Sequence, residues 1–114
     1  MEYISPHKIM VILVMFDLPT GTKKQKKAYS IFRKHLLKSG FEMLQYSIYY
    51  RYCIGRYTTN KYKKTTKKYA PNKSSGSIRI IEITSKQFEN MEILYSKDKE
   101  GQEKKINKEQ LLLF

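Results

Sequence analysis

Asp17 closes an eight-residue apolar run, Ile9 to Phe16, and Glu42 is the only other acid between Tyr3 and Ile81. A carboxylate at the end of a strand can ligate Mg²⁺, which prefers oxygen ligands and keeps several of its waters. The competing reading is a turn residue whose oxygens accept backbone N–H groups from Pro19-Thr20-Gly21. One carboxylate per chain is a thin site. Neither His7 nor His35 is close to it in sequence, and both read as surface or interfacial residues.

The stretch around Asp17 is short of acids and rich in cations. Lys and Arg number 23 against 10 Asp and Glu, a formal net charge of +13, and 17 of the cations lie between Tyr3 and Ile81. A surface that served solubility alone would mix both signs. A long acid-poor stretch suits phosphate contact, where each neutralised phosphate releases counterions. The pool for such contacts is Lys23, Lys24, Lys26, Lys27, Arg33, Arg51, Arg56, Lys61, Lys63, Lys64, Lys67 and Lys68. Lysine outnumbers arginine there, which favours tracking a backbone over reading bases. A merely solvated face is the alternative for any one of these side chains. Seven tyrosines, Tyr46, Tyr49, Tyr50, Tyr52, Tyr57, Tyr62 and Tyr69, could stack on bases. Packing in the core or a dimer interface, with a wet hydroxyl end, is the simpler role for them.

Other classes are excluded by what is missing. Cys53 is alone, so no internal disulfide forms, and no His/Cys spacing suggests zinc. It reads as a small apolar filler in a reducing compartment. The longest apolar run is too short to span a bilayer, and the start Met-Glu-Tyr-Ile-Ser-Pro lacks the features of a signal peptide. A cytoplasmic location is expected.

The elements that must carry these residues follow from periodicity. Residues 9–16 read as a strand covered on both faces, stopped by Asp-Leu-Pro-Thr-Gly. Residues 23–39 read as a helix, capped by Thr20 or Thr22, with Ala28, Ile31, Phe32 and Leu36 inward and Gly40 just past its end. Residues 41–54 alternate as strand, too long for one, so a bend or second strand is expected near Tyr50 to Tyr52. A threonine-rich helix is expected over about 56–70, with Tyr57, Lys61, Tyr62 and Tyr69 on one side. Residues 71–76 are a loop, 77–84 a strand, 85–91 a turn or short helix, and Glu92 to Tyr95 a further short strand. The order strand–helix–strand–strand–helix–strand predicts an α+β, ferredoxin-like βαββαβ sandwich whose sheet leaves one face for a partner or ligand. It occupies residues 1–95. Residues 96–114 form a charged connector ending in Leu111, Leu112, Leu113 and Phe114, an apolar tail expected to dock as a strand on a partner's sheet edge.

Met15-Phe16-Asp17-Leu18-Pro19-Thr20, followed by Tyr29, Phe32-Arg33-Lys34, Leu36-Leu37, Gly40-Phe41, Met43-Leu44-Gln45 and Ser47-Ile48-Tyr49, resembles the Cas two (Cas2) family of the CRISPR adaptation machinery, in its type II flavour. Gly76 to Phe88 fits the same pattern, so the resemblance spans roughly residues 8–95. Each element is weak, but their order and spacing together are specific. The resemblance implies a ferredoxin-like fold and a symmetric homodimer. It implies a complex in which that dimer bridges two dimers of the Cas one (Cas1) integrase and holds a short duplex, the prespacer, for insertion into the CRISPR array. Some family members are assigned metal-dependent endonuclease activity on RNA or DNA, centred on an aspartate that matches Asp17. A toxin-like ribonuclease on the same fold is the related alternative.

Overall fold

The computed structural model describes residues 9–71 and 76–96. The elements are β1 (Ile9–Asp17), α1 (Lys23–Lys38), β2 (Glu42–Gln45), β3 (Ile48–Ile54), α2 (Gly55–Tyr69), β4 (Ser77–Thr84) and the short α3 (Ser85–Glu89). The four strands form one antiparallel sheet in the order β2-β3-β1-β4. With α1 and α2 on one side, this is the expected ferredoxin-like arrangement.

β1 is central, and its unbroken apolar sequence is explained by cover on both faces. Ile12, Val14 and Phe16 point to the helices and join Leu18, Phe32, Leu36, Phe41, Tyr49 and Cys53 in the main core. Ile9, Val11 and Leu13 point the other way, against Tyr50 and Tyr52, with Phe88 of α3 packed on them. Phe32 is fully buried, and its loss to alanine would cost about 3–5 kcal/mol. Cys53 is the buried filler expected of it.

α1 begins at a capping box. Thr22 Oγ1 accepts from the Gln25 backbone N–H at 3.1 Å, and Gln25 Oε1 accepts from the N–H groups of Thr22 and Gly21 at 3.0 Å each. The helix ends at Ser39, and Gly40 takes φ +89, a conformation glycine adopts without a Cβ penalty.

Four expectations need correction. Ile31 is exposed, so the buried stripe of α1 narrows to Phe32 and Leu36. The strand break lies at Tyr46-Ser47, not near Tyr50: Gln45 pairs with Ile48 across a two-residue turn in which Ser47 takes φ +63. The sequence hides this turn because it uses no glycine, asparagine or proline, and the apolar alternation runs on through it. α2 buries Thr59 and Thr66, with Tyr62 beside them, while Tyr57 and Tyr69 are exposed. Each buried threonine returns its hydroxyl to a carbonyl one turn back, Gly55 for Thr59 and Tyr62 for Thr66, both at 2.8 Å. Satisfied in this way, a threonine can take a core position that hydropathy gives to tyrosine. Lastly, Glu92 to Tyr95 is not a strand among the described residues. The tail Leu111 to Phe114 lies outside the described residues.

Candidate nucleic-acid interface

Asp17 is the last residue of β1, exposed, and paired in register with Ser77 of β4. The backbone N–H groups of Gly21 and Thr22 in the turn beyond it are bound by Gln25, not by Asp17. No ion pair engages Asp17 among the described residues. Among the described residues its carboxylate has no hydrogen-bond or ion-pair partner. The same residues hold no cluster of three or more His, Cys, Asp or Glu side chains able to enclose a metal. Were Asp17 to ligate Mg²⁺, it would bring one carboxylate. A second copy, or the phosphates of a bound nucleic acid, would have to supply the remaining ligands.

The cationic residues converge on the helical layer. α1 carries seven Lys and Arg residues, α2 carries six, and neither helix contains an acid. Lys23 and Lys24 stand in the first turn of α1, where positive charge opposes the helix dipole. Such placement costs stability in isolation. Lys23, Lys24, Lys26, Lys27, Lys61, Lys64, Lys67 and Lys68 are exposed and in no ion pair among the described residues. Lys34 and Lys38 belong with them: both are exposed on α1. Their i, i+4 spacing on an acid-free helix was the signal that would have added them to the pool.

Four members of the pool have internal partners. Glu82 of β4 pairs with Arg56 at 2.6 Å and with Lys63 at 3.3 Å. Desolvation alone would raise the Glu82 carboxyl, but the hydrogen bonds and charges of Arg56 and Lys63 prevail and hold it below the usual carboxylate range. Arg51 is built into the fold. Its Nε donates to the Ser39 carbonyl and one terminal nitrogen to the Tyr52 carbonyl, both at 2.7 Å, while its guanidinium lies 3.7 Å from the Tyr62 ring centroid. Arg33 donates through Nε to Tyr49 Oη at 2.8 Å but stays exposed.

His35 joins the two helices. Its ring stacks on Tyr69 with centroids 3.5 Å apart, and Ser39 Oγ lies 3.3 Å from its Nε2. Desolvation first, then the charges of Lys38 and Lys68, lower its pKa. The tyrosines divide. Tyr49, Tyr50 and Tyr52 are buried and pack as the simpler reading holds, whereas Tyr46 and Tyr57 are 76% and 83% exposed. Burial, followed by the Glu89 carboxylate, pushes the Tyr52 phenol up to about 12. Among the described residues no helix is long and apolar enough to cross a membrane.

Comparison with known proteins places the chain in a family. The sequence profile of the family described as CRISPR associated protein Cas2 matches residues 10–91. A "CRISPR-associated endoribonuclease Cas2" of Flavobacterium psychrophilum is 43% identical over 94 residues, 82% of this chain and 80% of that protein. One from Acidovorax ebreus is 39% identical over 105 residues, 92% of this chain and all of that protein. One from Streptococcus mutans is 38% identical over 82 residues, 72% of this chain and 73% of that protein. With its sheet order and a profile match over most of its length, the chain belongs to the CRISPR-associated Cas2 family.

Proposed function

We propose that this chain acts in spacer acquisition as a homodimer that bridges Cas1 integrase dimers and grips duplex prespacer DNA by its backbone. The observation that carries the reading is the helical layer, where thirteen cationic residues on α1 and α2 face no acid on either helix. Lysine in such numbers binds phosphates without reading sequence. A second copy is supported by exposed apolar surface: Ile81 on the sheet, and Ile93, Leu94 and Tyr95 beyond α3. Mixing the protein with its neighbouring integrase and a labelled short duplex tests the reading, and a stable ternary complex is expected. Loss of acquisition in a folded, integrase-bound Asp17→Ala protein would count against a purely structural role.

A second reading, Mg²⁺-dependent cleavage of RNA or duplex DNA, is favoured by the exposed Asp17 carboxylate at the end of β1 and by the endoribonuclease names of the relatives. Asp17 from each of two copies would hold the ion. Bound Mg²⁺ supplies a polarised water and stabilises charge on the phosphate. A free-standing, toxin-like ribonuclease is the extreme form of this reading. Cleavage that requires divalent metal and disappears in Asp17→Ala supports it, and cleavage that persists in that variant points to a contaminant.

A further inference from the structure

Tyr46 differs from Tyr57, a second strongly exposed tyrosine. Tyr57 is open to solvent with no ring neighbour among the described residues. Tyr46 is also largely exposed, yet its ring is held: it lies near-parallel to Tyr29, with centroids 6.5 Å apart and planes at 23°. Tyr29 is tied in turn to the core ring of Phe16 at 5.6 Å. The backbone under Tyr46 is fixed as well. Ser47 adopts φ +63, and its carbonyl accepts from the Phe16 N–H at 3.0 Å, which pins the β2–β3 turn to the end of β1. An aromatic ring braced on one side and open on the other is a stacking platform.

Its surroundings are cationic. Lys26 lies three residues before Tyr29 on α1 and Arg33 four after, so both flank the ring that supports Tyr46. Both are exposed, and Arg33 spends only its Nε, on Tyr49. α1 carries no acid. A polyanion with flat, unpaired aromatic groups satisfies both features at once, whereas an apolar protein segment would leave the two cations unused.

We propose that Tyr46 stacks on an unpaired nucleobase, at a duplex end or in a single-stranded tail, while Lys26 and Arg33 take the flanking phosphates. This rests on the nucleic-acid reading above and narrows it: the protein distinguishes tailed duplexes from blunt ones. Stacking of this kind tolerates any base, because every base presents a π face.

The test is fluorescence anisotropy with blunt duplexes and with duplexes carrying a short unpaired tail, of DNA in one arm and RNA in another. Wild type is expected to favour a tailed form. Tyr46→Ala should lose that preference, by about five- to a hundredfold, with blunt-duplex affinity unchanged in protein that remains folded. Tyr46→Phe should keep it, as should Tyr57→Ala. A gain in either arm that needs Tyr46 supports the proposal, and the arm identifies the sugar. Equal wild-type affinity for blunt and tailed duplexes would overturn it while leaving backbone binding intact. So would a Tyr46→Ala protein that keeps its tail preference, or one that alters only self-association. Failure of wild type to bind any duplex would defeat the nucleic-acid reading itself.

Discussion

Gly76 lies against the carbonyl of Asp17 so closely that a Cβ on it would overlap that oxygen and the Cα of Leu18. The approach fixes the start of β4 beside the end of β1, where Ser77 pairs with Asp17. Gly76→Ala must push the two backbones apart, at a cost of about 1–3 kcal/mol. Asp17→Ala, at an exposed side chain, should change stability by less than about 0.5 kcal/mol. Denaturant melts of the two variants check the contrast.

Arg51 is expected to act on stability, not on binding. Its hydrogen bonds to Ser39 and Tyr52 and its stacking on Tyr62 join β3, the end of α1 and α2. Arg51→Ala leaves two carbonyls without that donor and should cost about 1–3 kcal/mol. Duplex affinity per folded molecule should stay within about twofold. A parallel loss of affinity in protein shown to be fully folded would return Arg51 to the phosphate-contacting set.

Glu82 restrains two cations that a polyanion would otherwise attract. Glu82→Gln should lower stability by about 1 kcal/mol or less. The same change releases Arg56 and Lys63 and should tighten duplex binding several-fold, the opposite direction. Paired melts and binding titrations on one preparation resolve the two effects.

His35 gives the fold a pH dependence near neutrality. Its folded pKa is depressed, so the unfolded chain takes up a proton before the native one does. The stabilisation is fully present above the unfolded value of about 6.5 and declines as pH falls through the lower folded value. The charges of Lys38 of α1 and Lys68 of α2 face it and oppose its protonation. Melting temperature from pH 7.5 to 5 should fall more in wild type than in His35→Gln.

The sequence made some of this readable and concealed the rest for physical reasons. The strand Ile9–Asp17 was legible because cover on both faces demands an unbroken apolar run. α1 was legible from its cap at Thr22, its stripe through Phe32 and Leu36, and its Gly40 stop. The turn at Tyr46-Ser47 was not, since its conformation is imposed by pairing with β1 and not by a turn residue. The inner face of α2 was hidden because buried Thr59 and Thr66 satisfy their hydroxyls within the helix, a saving that hydropathy does not register. The charge of the site could be read from composition. Which cations stay available depends on Glu82, Ser39 and Tyr49, residues distant in sequence whose positions only the fold supplies.

The central claim is that the acid-free helical layer grips phosphates without reading bases. The most direct measurement is duplex affinity across a salt series for wild type and for a variant with Lys23, Lys24, Lys26 and Lys27 changed to Gln. Wild type is expected to bind independently of sequence, and the variant to show a log–log salt slope shallower by about one unit for each phosphate contact removed. An unchanged slope in the folded variant, or no retention of any duplex by wild type at moderate ionic strength, would contradict it.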